Sequence, residues 1–241
     1  MKNKLKVLSA AILCLGVLVY LSIFIAPFIF RHKEPPQGRV FRGVAWFRFD
    51  QKNALQGWEE KIFKGRVRYS VRADRQEGYL DAYSRAAASG IVRWLKFNPK
   101  RAPMVSWKWR VLKFPEKNKG VYEDNWWIEK DDYAARFYVI FPRFPFFRFQ
   151  CLEYIWDKDI PAGQVLANPN FKGLKIIVVE SGEENLGKWV SEERNVYEDF
   201  KKLFGSEPGN AGAIAIMTDS DNTASFAQTQ YNDIEVGYAK Q

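Results

Sequence analysis

Two rhythms of apolar residues divide the chain. From Val7 to Phe30 the apolar positions are almost unbroken, with Lys2, Lys4 and Lys6 before the run and Arg31 and Lys33 after it. At about 1.5 Å of rise per residue, this run as a helix reaches roughly 36 Å, enough to cross a hydrocarbon core of about 30 Å. It predicts an N-terminal transmembrane helix. A cleaved secretory leader fits less well, because its apolar stretch spans only about 7–15 residues.

After Pro35-Pro36 and Gly38 the rhythm changes to alternation. Val67, Tyr69 and Val71 share one face, as do Val105, Trp107, Trp109 and Val111, and then Tyr133, Ala135, Phe137, Val139 and Phe141. A period of two is that of a half-buried strand. Further strands are expected over Val40 to Phe49, Gly78 to Ser84, Gly90 to Leu95, Gln150 to Trp156, Leu174 to Glu180, Ala211 to Met217 and Asp233 to Tyr238. Many short strands punctuated by turn residues predict a mainly β fold, a two-sheet, jelly-roll-like β-sandwich. One short helix is expected near 191–204, with Ser191 as N-cap, Glu192 and Glu193 in its first turn, Val196, Phe200, Leu203 and Phe204 at helical spacing, and Gly205 closing it. The expected organisation is an anchor over 1–33, a stalk over 34–39 and one β-sandwich domain over 40–241.

Charge narrows the partners. Five of the 37 basic residues flank the apolar run, whereas all 28 acids follow it, so the domain itself carries only about +4. That is too even for the basic clusters of a nucleic-acid binder, and it suits anionic headgroups or acidic glycans. The lone histidine, His32, adjoins the anchor. A serine or cysteine nucleophile with a histidine base therefore has no place in the domain, and zinc sites built from several His or Cys ligands fail by the same count. Cys14 and Cys151 are the only cysteines, so no disulfide framework exists.

Several motifs occur in order: Ser89-Gly90, Trp107-Lys108-Trp109-Arg110, Asp131-Asp132-Tyr133-Ala134-Ala135-Arg136, Glu193-Arg194-Asn195-Val196, and Met217-Thr218-Asp219-Ser220-Asp221-Asn222-Thr223. Together, over about Phe41 to Val236, they resemble the bacterial domain of unknown function 3047 family, which has no established activity. The resemblance implies a secreted or membrane-tethered bacterial domain on the periplasmic or extracellular side of the cytoplasmic membrane. The charges flanking residues 7–30 nearly tie and do not orient it. The ending Tyr231-Asn232-Asp233-Ile234-Glu235-Val236 is also similar to the final strand of jelly-roll carbohydrate-binding modules.

Candidate ligand-binding residues are Lys108, Arg110, Asp132, Arg136, Tyr138, Arg194, Asp219, Asp221 and Asn222. Alternation puts Trp107 and Trp109 on one face and Lys108 and Arg110 on the other, which is either a solvated basic face or part of a concave binding face that Arg136 and Tyr138 extend. Asp131 and Asp132, as strand neighbours, point to opposite faces. A strand-start turn, or a salt bridge from one of them to Arg110 or Arg194, is therefore a more natural reading than a catalytic pair. Asp219, Asp221 and Asn222 offer oxygen ligands for calcium, although the loop lacks the later Gly and Glu of an EF-hand and Asx-turn chemistry explains the same residues. The leading expectation is a membrane-anchored sandwich binding a carbohydrate or other polar envelope ligand. The alternatives are a glycan-processing enzyme using carboxylates among Asp131, Asp132, Asp219 and Asp221, or an interaction module whose contact is the phenylalanine-rich stretch Phe141 to Phe149.

Overall fold

The structure is a computed structural model that describes residues 43–75, 77–117, 131–143, 148–168 and 171–238. The expected anchor and stalk, the Trp126-Trp127 pair, whose sequence reads as either a sugar-stacking platform or an edge cover, and the centre of the phenylalanine-rich stretch lie outside the described residues. No helix among the described residues is long and apolar enough to cross a membrane.

Among the described residues, thirteen strands build two sheets: β1 (Gly43–Phe47), β2 (Trp58–Lys64), β3 (Arg68–Ala73), β4 (Gly78–Arg85), β5 (Ala88–Phe97), β6 (Met104–Lys113), β7 (Ala135–Arg143), β8 (Arg148–Asp157), β9 (Val165–Ala167), β10 (Leu174–Ser181), β11 (Val190–Asn195), β12 (Ala211–Asp219) and β13 (Phe226–Gly237). The first sheet runs β11-β6-β13-β4-β3, with β1 also pairing β13, and the second runs β2-β5-β12-β7-β8-β10-β9. Pairing is antiparallel except between β8 and β10.

The core lies between the sheets, as the alternating apolar positions require. Trp107 of β6 stacks on Phe137 of β7 with centroids 4.3 Å apart and leans on Tyr154 of β8 at 5.3 Å, and Trp109 meets Trp156 at 6.2 Å. Both β6 tryptophans are buried, so their apolar face is core, and the side chains between them point out of the sandwich. Fully burying such rings contributes about 1.5–3 kcal/mol each, which fixes β6 over β7 and β8.

The helix begins later than its sequence pattern suggests. Ser191 to Asn195 belong to the edge strand β11, and α1 spans Val196–Phe204 with Asn195, not Ser191, as N-cap. The Asn195 carboxamide oxygen accepts from Glu198 N–H at 3.1 Å, and Glu198 and Asp199, not Glu192 and Glu193, occupy the first turn. The alternation of Val190, Glu192 and Arg194 pairs in register with Trp109, Trp107 and Val105, and these cross-strand partners override the local helical signal. Gly205 closes α1 as expected, at φ 65°, giving its N–H to Lys201 C=O. Phe200 packs on Phe141 at 4.7 Å, seating the helix against one end of the sandwich.

Two further differences concern β13 and β2. β13 starts at Phe226 rather than Asp233, because its outward positions Gln228, Gln230 and Asn232 are polar and hide the period. A bulge at its centre puts Asp233 at φ 47° and aims its carboxylate at Lys108, 2.8 Å away. β2 carries Glu59, Glu60 and Lys61 on an edge, where charge blocks further pairing.

Candidate functional site

The expected site residues fall into three separate places. Lys108 and Arg110 lie on the outer face of the first sheet. Arg136 and Tyr138 lie in β7 on the outer face of the second, so the single surface expected from the four residues does not form. Strand parity could not reveal this, because it reports which face a residue takes but not which sheet it joins. Arg194 sits apart on β11, where its guanidinium makes a two-pronged bond to Asp199 of α1, 2.6 and 2.9 Å, and Tyr154 O–H joins the same carboxylate at 2.9 Å.

At the second location Arg136 is buried among acids. Its Nε donates to Glu153 at 2.5 Å, its Nη1 to Asp219 and to the Asp131 carbonyl, and its Nη2 to the Asp131 carboxylate at 2.9 Å. The rings of Tyr133 and Tyr138 flank the guanidinium at 4.8 and 5.8 Å. Glu153 is fully buried, is directly opposite Tyr138 in register, and keeps Oε2 without a hydrogen bond. Three carboxylates around one cation leave an excess of negative charge, which protonation relieves. Burial pushes the Asp131 carboxyl up to about 6 against the pull of Arg136, and burial likewise raises Asp219 well above the usual carboxylate range. Asp219 and Glu153 hold Arg136 charged in spite of its burial.

Asp132 does not bond Arg110 or Arg194. It is fully buried, and each of its oxygens accepts two bonds: from Asn222 N–H and Nδ2 at 3.2 and 3.1 Å, and from Thr223 N–H and Oγ1, both at 2.7 Å. The loop after β12 is therefore held by a distant carboxylate together with its own Ser220–Ser225 bonds, Oγ to C=O at 3.0 Å and N–H to C=O at 3.2 Å, rather than by an Asx turn. Asp131 and Asp132 precede β7 instead of lying in it, yet they still diverge, one to the arginine and one to the loop.

Asp132, Asp219 and Asp221 bring carboxylate oxygens within 4.8 Å of one another, an arrangement that can hold a metal ion. The oxygens of Asp132 and Asp219 are already engaged, the latter by Tyr133 N–H at 2.9 Å and by Arg136. Asn222 turns its amide nitrogen, a donor, toward the group. Lys64 neutralises Asp221 from 3.6 Å. Protein donors thus already occupy two of the three carboxylates, and an ion held by Asp132, Asp219 and Asp221 would displace those bonds. The same bonds occupy the carboxylates proposed for glycan hydrolysis.

The first location differs in kind, because it is a polar face with half-buried aromatic rings. Arg110 Nε donates to Gln230 at 2.6 Å and its Nη2 pairs with Asp74 at 3.3 Å. Its guanidinium lies 4.6 Å from the Trp189 ring and 5.6 Å from Tyr79, whose rings meet edge-on at 6.2 Å. Lys108 pairs with Asp233, Asn232 Nδ2 donates to Glu77 at 3.0 Å, and Gln228 Nε2 donates to Asp81 at 2.8 Å. Tyr79, Trp189, Asp74, Gln228 and Gln230 were not among the sequence candidates. The alternation Tyr79, Asp81, Tyr83, Arg85 along β4 was the signal available for part of this set.

The family model described as "Protein of unknown function (DUF3047)" matches residues 56–235, the span that holds both clusters. The chain belongs to this family. No curated protein matches this DUF3047 member at a significant level. Among solved structures it is similar to a family 30 carbohydrate-binding module of Clostridium thermocellum, at 7% identity over 82% of this chain and 100% of that one, TM-score 0.39. It is also similar to the glycoside hydrolase domain of Endo-D from Streptococcus pneumoniae R6, at 9% identity over 76% of this chain and 22% of that one, TM-score 0.36. A third is the family 11 xylanase from Neocallimastix patriciarum, at 11% identity over 76% and 92%, TM-score 0.36. Likenesses at these scores carry no argument about what this DUF3047 member binds.

Proposed function

We propose that this chain is a membrane-anchored sandwich, tethered by residues 7–30 on the outer side of a bacterial cytoplasmic membrane, that binds a carbohydrate of the cell envelope on the outer face of its first sheet. The observation that carries the reading is the Arg110 station: a guanidinium within 4.6 Å of the Trp189 ring and 5.6 Å of the Tyr79 ring, bonded to Gln230 and Asp74, with Asp81 opposite Gln230 in register. Sugar rings offer an apolar face to aromatic rings and hydroxyl edges to planar amide, carboxylate and guanidinium groups. Strand pairing positions Tyr79, Arg110 and Gln230 before any ligand arrives, which lowers the ordering cost of binding.

Calorimetric titration of the full-length chain with envelope polysaccharides tests the reading. Heat of binding is expected with at least one of them, and Trp189→Ala is expected to weaken it at least about tenfold, the loss of one aromatic anchor. No heat with any polysaccharide would overturn the proposal. Calcium is not required in this account: thermal melting in calcium and in chelator is expected to give the same midpoint. A midpoint that rises and saturates with calcium would show that the ion displaces the bonds around Asp132 and Asp219.

A further inference from the structure

The polar face continues past Asp81 to a second aromatic station with a different charge balance. Arg68 of β3, Tyr83 and Arg85 of β4, and Phe226 of β13 meet in register, Arg68 opposite Tyr83 and Arg85 opposite Phe226. The Arg68 guanidinium lies 5.0 Å from the Tyr83 ring, that of Arg85 lies 5.3 Å from the Phe226 ring, and the two rings are 6.2 Å apart. Arg68 and Arg85 are exposed, and Phe226 is 39% exposed, unusual for a phenylalanine in a strand.

Elsewhere on this face the bases are matched by acids: Lys108 by Asp233, Arg110 by Asp74 and Arg72 by Asp81. Among the described residues, neither Arg68 nor Arg85 has a carboxylate within salt-bridge distance. Two guanidinium groups beside partly exposed rings, without a paired carboxylate, form a place for an anion that also carries a ring. From Tyr79 to Arg85 the strand covers about 20 Å, so one oligosaccharide can reach both stations.

Resting on the carbohydrate reading above, we infer that the Arg68–Tyr83–Arg85–Phe226 station selects acidic glycans by receiving a carboxylate, sulfate or phosphate ester of a sugar residue while the Arg110 station stacks the neighbouring ring. A lipid headgroup carries similar anions. The glycan is the better occupant because the station shares a flat, strand-built face with Tyr79, Trp189 and the amides of Gln228 and Gln230, groups suited to hydroxyls along a chain.

The test compares matched ligands on the full-length chain: oligogalacturonate with its methyl ester, and dextran sulfate with dextran. At least one acidic member is expected to bind about tenfold more tightly than its neutral counterpart, with the preference shrinking as salt rises. The double variant Arg68→Gln, Arg85→Gln is expected to abolish that preference while leaving neutral binding unchanged, since both side chains are exposed and their loss leaves the core intact. Equal binding of acidic and neutral members would overturn this inference alone and leave the carbohydrate reading standing. Absence of binding to any glycan would overturn both. Tighter capture by phosphatidylglycerol vesicles than by any acidic glycan, lost in the double variant, would assign the station to lipid and overturn the inference.

Discussion

Replacing Arg136 with methionine is expected to remove about 3–5 kcal/mol of folding stability at neutral pH, the cost of leaving buried carboxylates without their cation. The side chain is almost fully buried and bonds Asp131, Glu153 and Asp219, so water cannot take its place. For a domain of about 200 residues this corresponds to a melting point lower by roughly 10 °C. Arg136→Lys retains the charge but has a single ammonium where the guanidinium reaches three acids, so an intermediate loss is expected. The diagnostic feature is pH. Protonating Asp131 and Asp219, whose carboxyls burial raises, removes uncompensated charge, so urea unfolding of Arg136→Met should approach the parent protein as pH falls from 7 to about 4. A variant as stable as the parent at pH 7 would show that the acids share protons so completely that the cation is dispensable. A deficit that persists at pH 4 would assign the loss to packing.

Glu192 supplies the second large effect, on the edge strand of the first sheet. It points inward from β11, directly opposite Trp107, and its Oε1 is buried without a hydrogen bond. Burial, followed by the nearby Glu180 carboxylate, pushes it from 4.5 up to about 7, while the Trp109 indole, turned toward it short of a formed hydrogen bond, pulls slightly the other way. A raised folded-state value means that the native state binds the proton more tightly than the unfolded chain. Its contribution is complete below about pH 4.5 and is lost as pH rises through 7. Partial exposure of the group reduces the swing to about 2 kcal/mol. Glu192→Gln keeps the shape and cannot ionise, so it should flatten stability between pH 5 and 8 and exceed the parent by about 1–2 kcal/mol at pH 8. Denaturant titrations of both proteins across that range measure it. Parallel profiles would place the carboxylate in contact with solvent.

The buried network and the open polar face have different work. Arg136, Asp132 and Asp219 join three stretches distant in sequence, 131–136, 153 and 219–223, and hold the start of β7 to the end of β12. Its buried acids and raised carboxyl values resemble a catalytic centre in type, but the carboxylates of Asp131, Asp132 and Asp219 are engaged by Arg136 and by the loop after β12. The face around Arg110 and Arg68 instead presents rings and charged groups at partial exposure, as recognition requires.

How much was legible follows from which interactions are local. The tryptophans of β6 announced themselves as core, since alternation of apolar and polar residues depends only on the strand's own geometry. The Gly205 terminus of α1 was readable for the same reason, being set by one residue's backbone. The start of α1 was not, because β11 is held by pairing with β6, more than 80 residues earlier in the chain. The polar alternation of Gln228, Gln230 and Asn232 carried no apolar period to detect.

Strand content, the two-sheet class, the core tryptophans, the family and the lack of histidine chemistry were determined by the chain's own pattern and composition. Only the tertiary structure decided that Lys108 and Arg110 face away from Arg136, that Asp132 holds a loop 90 residues downstream, and that Trp189 and Tyr79 close around one guanidinium. The physical reason is that a strand's period states which side a residue takes, whereas the sheet it joins, and so its neighbours, are set by hydrogen-bonded pairing and inter-sheet packing across long loops.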